Sequence, residues 1–318
     1  MDWFSDGREY YSGRCFEGMA LACPDRWRVF DSQLACGTLI GSEPPKDRVA
    51  IIVSGGGSNG PWPEYVGPGL ADAAVVGAPY TAPSAYAIYE VGKALNTGKG
   101  VLLVYNNFMG DYLNNDMAAE LLRLEGIDSR QLICCDDMGM AIGEPRENRG
   151  GRTAAPLYLR IAAIAAREGK SLSEVEALVK KAEARSTTLC VTVDPKTNRA
   201  IYGKGFSDEP GFIVRDNATV SSTAEEMIRF LAEDVRPQPS EKAYLLVNRL
   251  RFTHYMDSYV MAARLYKELE KICPILKMRV GAYNNILDAY GYTVTILCAD
   301  GEIAPYLLPD YAGDCYLF

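Results

Sequence analysis

Histidine is almost missing: His254 is the single one in 318 residues. One imidazole has no companion with which to build a zinc site, and a lone histidine reads as a surface or capping residue. The nine cysteines do not fill the gap. Cys134 and Cys135 are adjacent, Cys15, Cys23, Cys36, Cys190, Cys273, Cys298 and Cys315 are scattered, and no C-x-x-C occurs. Cys134, Cys190 and Cys298 fall inside apolar strand-like runs, as buried, reduced thiols do. No metal is therefore expected. Clustered cations are missing too, with 33 Lys and Arg against 41 Asp and Glu and a net charge of −8. That balance argues against a nucleic-acid or anionic-membrane surface as the main partner. No run of 18 apolar residues offers a membrane span. The first residues, MDWFSDGREY, lack the basic-then-apolar layout of a secretory signal. The expectation is a cytoplasmic protein with no nucleic-acid or membrane partner.

What remains is ordinary globular composition, 48% hydrophobic and 23% charged, at a length that suits two domains or one large one. Strand-like runs at Arg48–Ser54, Asp72–Ala78, Gly100–Asn106 and Arg130–Cys135 alternate with helical patterns at Ser84–Asn96 and Asp111–Gly126. Strands apolar on both faces and separated by helices indicate a parallel sheet with helices on each side. Two helices follow, Ala155–Gly169 and Ser171–Arg185, the second opened by a Ser171/Glu174 capping box. The alternation then restarts with strands at Ser186–Val193, Lys242–Leu250, Met278–Tyr283 and Tyr292–Ala299 and helices at Ser222–Asp234 and Tyr255–Ile272. The fold class is α/β. Two consecutive α/β domains are expected, 1–185 and 186–318, each with a mostly parallel or mixed sheet flanked by helices. Pro237-Gln238-Pro239 is too short for a flexible linker.

Three segments carry candidate chemistry. Val49–Val53 runs into Ser54-Gly55-Gly56-Gly57-Ser58-Asn59-Gly60. Glycines after a parallel strand put bare backbone N–H groups at the carboxyl end of the sheet, where open α/β folds bind ligands. No Lys-Ser/Thr follows, so this is no phosphate loop, and Pro61 and Pro63 break the helix that a dinucleotide fingerprint needs. A small-molecule cradle and a tight turn both fit these glycines. At the next strand end, Asn106-Asn107-Phe108-Met109-Gly110-Asp111 opens a helix. Asp111 either caps that helix or points a carboxylate into the same crevice. The third segment, GKGFSDEPGF (Gly203–Phe212), reads alone as a polar turn.

Together, in this order and at these separations, the segments resemble the dihydroxyacetone kinase substrate-binding subunit family. The resemblance extends through Leu132–Glu144, Arg149–Arg152, Val247–Leu250 and Gly281–Asp300, and spans roughly residues 15–310. It implies a two-domain α/β subunit that forms a homodimer and binds a short ketose or polyol. It also implies a separate nucleotide-binding kinase subunit that carries ATP or ADP with Mg²⁺; no cofactor is bound by this chain. The implied substrate-binding residues are Gly56, Gly57, Ser58, Asn106, Ser207 and Glu209, with Asp111 as general base.

The departures are specific. The family's glycine loop reads S-G-G-G-S-G-H-E-P, and here Pro61-Trp62 stands where the substrate-contacting histidine belongs. The lysine of K-N-Y-T-G-D is Asn106. The histidine of H-G-E-P-G, which in the family forms a covalent hemiaminal with the ketose, is Ser207. A serine hydroxyl is not nucleophilic without an activating base. The chain therefore reads as a kinase-like subunit that binds its ligand non-covalently; the alternative is a catalytically degenerate binding or regulatory paralogue. Trp62, Tyr65, Phe108 and Phe206 suggest a more aromatic pocket than a ketose needs, although Trp62 is equally a packing residue.

Overall fold

The structure is a computed structural model that describes residues 7, 10–30, 36–57, 62–205, 209–284 and 289–308. Internal contacts divide the chain into two units. Of the described residues, the first holds those up to Ile133 together with Ala155–Lys180; the second holds Cys134–Ala154 and Lys181 to Leu308. The Cys134–Ala154 segment thus groups with the second unit although it precedes the helical pair in sequence.

The first unit is built from α1 (Tyr11–Ala22), β1 (Trp27–Val29), β2 (Gly37–Gly41), β3 (Ala50–Gly55), β4 (Ala73–Val76), α2 (Ala85–Leu95), β5 (Val101–Asn106), α3 (Met109–Leu124), β6 (Ser129–Cys134), α4 (Ala155–Arg167) and most of α5 (Leu172–Ala184). Its sheet has the order β1-β2-β4-β3-β5-β6. β3 runs parallel to both β4 and β5, with Val53 beside Ala74 and Val104, while β1 and β2 pair antiparallel at the edge. The sheet is therefore mixed, and the parallel pattern expected from the sequence holds for its middle. The central strands β3, β4 and β5 are buried on both faces, as their unbroken apolar runs require. Ile52, Val75, Val101 and Leu103 cluster with Ile88, Val91 and Leu95 of α2 and Ala118 and Leu122 of α3. Strand alternation turns Ile51, Val53, Leu102 and Val104 the other way. α4, buried along its length, packs against β3 and β5. Ser84 caps α2 by accepting the Tyr86 N–H at 3.2 Å, and the Ser171/Glu174 capping box is formed.

The second unit contains β7 (Ser186–Asp194), β8 (Arg199–Lys204), β9 (Pro210–Arg215), α6 (Val220–Val235), β10 (Lys242–Arg249), α7 (Tyr255–Glu270), β11 (Ile275–Gly281), β12 (Gly291–Ala299) and α8 (Ala304–Leu307). The order is β11-β10-β12-β7-β8-β9, antiparallel except for β10 with β11. The segment read from sequence as a polar turn is flanked by strands, since β8 and β9 pair on either side of it. Leu189, Val191, Leu245, Val247, Val294 and Ile296 form one face, covered by Met227, Ile228 and Leu231 of α6 and Leu265 of α7.

The opposite face is polar and buried. Asp136 accepts the backbone N–H groups of Arg152 (2.9 Å), Thr153 (3.0 Å) and Ala154 (3.1 Å) and the Thr188 hydroxyl (2.5 Å). Thr188 pairs with Thr295 at 2.7 Å, Thr153 with Thr293 at 3.0 Å, and the Asn248 amide donates to Thr293 at 2.6 Å. The network ties the Cys134–Ala154 segment to the sheet. Asp136→Ala is expected to lower stability by roughly 3–5 kcal/mol, because four buried donors lose one acceptor. Urea unfolding measures this, and a loss below about 1 kcal/mol would show the network to be dispensable.

Candidate ligand site at the strand exits of the first unit

β4, β3 and β5 are neighbours and parallel, so their carboxyl ends open side by side. The loops that leave them are interlocked. The Gly57 N–H donates to Ala78 O at 3.2 Å, and the Gly77 N–H donates to Gly55 O at 3.1 Å. A Cβ on Gly57 would stand 2.6 Å from Gly77 O and 2.9 Å from the Ser12 hydroxyl; one on Gly77 would stand 2.0 Å from Thr81 O. Real side chains do not fit such gaps, so these glycines are required by the approach of backbone to backbone. In this structure the Gly57 N–H is directed to Ala78 O. Ser12 of α1 closes the same corner by donating to Gly77 O at 2.5 Å.

The β5 exit carries the chemistry. Asn106 ends the strand and is fully buried. Phe108 takes the N-cap position of α3 without a side-chain cap bond, and Asp111 lies in the first turn. Asp111 is therefore not the cap that one reading of the sequence allowed. It is 3% exposed, with its side chain on the helix's inner face. Asn115, one turn further on, donates to Asp111 O at 2.8 Å and accepts the Ser54 hydroxyl at 2.9 Å. This chain ties the end of β3 to the first turn of α3 and fixes Asp111 beside the glycine loop.

Two features set this corner apart. Both polar atoms of the Asn106 side chain and the Asp111 Oδ1 are buried without a hydrogen-bond partner among the described residues. A buried amide or carboxyl ordinarily finds a partner, because losing water without one costs about 1–3 kcal/mol per group. Burial also raises the Asp111 carboxyl from 3.8 to about 7, although a helix N-terminus by itself favours the charged form. The corner presents a donor, an acceptor and a group able to take or give a proton near neutrality. Its described side chains, Ser54, Asn106, Asp111 and Asn115, include no cation.

The remaining candidates are placed as follows. Gly56 lies beside Thr81, with room for ordinary contact. Ser58 and Ser207 lie outside the described residues, as do Phe206 and the side chain of Trp62. Glu209 is partly exposed in the second unit, its side chain folded back over Gly205 and its carbonyl accepting the Gly205 N–H at 3.2 Å. Tyr65 is a core residue, 2% exposed. His254 is the exposed N-cap of α7, its Nδ1 accepting the Met256 N–H at 3.3 Å, in line with the capping role read from the sequence. Ser12, Asn115 and the Gly77–Pro83 loop were missed. Asn115 had a signal: Asp111, Asn115, Ala118 and Leu122 share helical spacing, which puts two polar side chains on an apolar stripe. Among the described residues no cluster of His, Cys, Asp and Glu could hold a metal ion, and no helix is long and apolar enough to cross a membrane.

The raised Asp111 carboxyl has a signed consequence. The folded state holds its proton up to about 7, whereas the unfolded chain releases it near 3.8. Folded protein thus binds more protons over that window, and stability falls as pH rises through it before levelling above 7. Asp111→Asn is expected to remove this component from the dependence of Tm on pH; an unchanged slope between pH 4 and 7 would contradict the burial of an unpaired carboxyl.

The Dak1 domain model matches residues 17–311. The dihydroxyacetone-binding subunit DhaK of a PTS-dependent dihydroxyacetone kinase from Listeria innocua is 33% identical over 281 residues, covering 84% of each chain. A solved structure reported under "Regulation of the dha operon of Lactococcus lactis" superposes with a TM-score of 0.90 at 25% identity, covering 99% of this chain and 98% of that one. The dihydroxyacetone kinase operon co-activator Dha-DhaQ superposes with a TM-score of 0.85 at 25% identity, covering 96% and 97%. With the two-sheet α/β fold and nearly the whole length matched, the chain belongs to the Dak1-domain family.

Proposed function

We propose that this chain is a dihydroxyacetone-kinase-like subunit that binds a short, uncharged ketose or polyol non-covalently at the strand exits of its first unit. The observation that carries the reading is the pair of buried, unpartnered groups, Asn106 and Asp111 Oδ1. A polyol or ketose supplies adjacent oxygens that accept from the amide and donate to the carboxylate. An anionic ligand would meet a carboxyl and no cation among the described side chains, so an unphosphorylated compound fits better. Gly56 and Gly57 lie in the glycine loop at the β3 exit. The roles of Ser58, Ser207 and Glu209 rest on sequence resemblance alone.

Non-covalent binding follows from the side chains present. Ser207 occupies the family's hemiaminal position, and the single imidazole of the chain caps α7. In the catalytic reading Asp111 takes the proton from the ligand hydroxyl as that oxygen attacks the phosphoryl group. A carboxyl raised to about 7 is matched to that exchange at neutral pH. The phosphoryl donor would be supplied by a separate nucleotide-binding subunit carrying ATP or ADP with Mg²⁺. The family resemblance also supports a homodimer.

A second reading has its own support. The DhaQ structure matched over nearly its full length is described as an operon co-activator, so this scaffold also serves regulation. Under that reading the chain binds the same ligand class and transfers nothing. Dihydroxyacetone at millimolar concentration is expected to raise Tm in both cases. With a nucleotide-carrying kinase subunit and ATP·Mg²⁺, phosphate transfer is expected only in the first, and Asp111→Asn should reduce it by roughly 10²–10⁴-fold while ligand is still bound. Transfer unaffected by that substitution would remove Asp111 from the reaction; stabilisation without transfer selects the regulatory reading.

A further inference from the structure

In the second unit, the mouth of the β8–β9 hairpin is gripped by residues from outside the hairpin. Strand pairing slips by one residue between Tyr202/Ile213 and Lys204/Pro210, and within the slip Gly211 takes φ 82°. Such a bulge bends a strand and re-aims what lies beyond it. Beside it, a Cβ on Gly139 would stand 2.5 Å from Gly203 Cα, so the Cys134–Ala154 segment lies directly against the backbone of β8. Gly205 is buried, and its N–H donates to Glu209 O at 3.2 Å across the mouth.

The grip ends in a charge. Arg152 is fully buried, its Nε donating to the Asp137 carboxylate and its Nη2 donating at 2.7 Å to the carbonyl of Lys204, the last residue of β8. Asp137 is equally buried and accepts the Gly139 N–H at 3.0 Å. The Arg152 carbonyl accepts the Asn284 amide at 2.5 Å. Asn248 of β10 in turn accepts the N–H groups of Tyr283 and Asn284 at 2.7 and 3.1 Å. The guanidinium is thus anchored on two sides before it reaches Lys204. A buried ion pair adds little stability, because desolvation offsets its attraction and packed apolar residues of similar volume serve as well. Apolar side chains, however, cannot hold a carbonyl. The planar fork of an arginine meets a carboxylate and a carbonyl at once.

We propose that Arg152, oriented by Asp137, is a positioning residue that sets the course of the chain from Lys204 to Glu209. The inference rests on the proposed function, in which resemblance gives Glu209 a part in binding the ligand. It adds the residue on which that placement depends.

Two variants test this, read by Tm, by hydrogen exchange of the Gly205 amide and by calorimetric titration of dihydroxyacetone. Arg152→Lys keeps a positive charge beside Asp137 but lacks the second arm for Lys204 O. Asp137→Leu/Arg152→Met removes both charges together and leaves neither one unpaired, so its Tm is expected within about 5 °C of the parent. In both, exchange at Gly205 is expected to quicken roughly tenfold and affinity for dihydroxyacetone to fall about five- to tenfold. Parent-like exchange or parent-like affinity in Arg152→Lys would overturn the positioning role while leaving the proposed function intact. Affinity that falls only in step with Tm, with Gly205 exchanging no faster than the sheet amides around it, would show a purely structural pair and overturn the role as well. Absence of binding by the unsubstituted protein would overturn the function reading and this proposal with it.

Discussion

An uncompensated desolvation lies at the centre of the first unit. Asn106 and Asp111 have been taken out of water at the end of a fully buried strand, and neither has its polar atoms fully paired among the described residues. Leaving each such group without a partner costs about 1–3 kcal/mol. The supporting contacts serve this arrangement. Ser54 and Asn115 hold the first turn of α3 to the end of β3, and the Gly55–Gly57 and Gly77–Pro83 segments lock together so closely that no side chain fits between them.

The second unit shows what the same chain does with a buried carboxyl that has a structural task. Asp136 is as deeply buried as Asp111, yet three backbone N–H groups and a threonine hydroxyl meet it. The contrast separates the two kinds of buried acid by their partners rather than by their burial. Asp136 joins a loop to a sheet. Asp111 has one oxygen, Oδ1, without a hydrogen-bond partner among the described residues and a carboxyl raised to about 7. Perturbed acids of this second kind gather at functional sites.

Most of the fold was legible because its strands are apolar on both faces and its helices are capped where the sequence says so, at Ser84 and at Ser171/Glu174. Other parts were not, the edge strands β1 and β2 among them. α1 buries only Ser12 and Phe16, too few to give a helical pattern. β8 and β9 flank a segment whose Gly, Pro and charged residues read as a turn. The antiparallel order of the second sheet comes from pairing between distant strands, which local periodicity does not encode. Within the site, Asn106 and Asp111 were legible from their place at a strand end. The glycine loop was legible as a close approach but not as an approach of backbone to backbone, since the partners, Gly77 and Ser12, lie far off in sequence.

The family's covalent chemistry depends on an imidazole, and this chain has spent its single histidine on a helix cap. What remains at the strand exits is an amide whose polar atoms have no partner among the described residues and a carboxyl raised to about 7; under the proposed function these two groups recognise an unphosphorylated polyol. The most direct measurement is a carbon-13 NMR titration of the Asp111 side-chain carboxyl, free and with dihydroxyacetone. A midpoint near 7 in the free protein that moves when ligand is added is the expected result. A midpoint near 4 that is indifferent to ligand would contradict a buried, ligand-directed carboxyl at the strand exits.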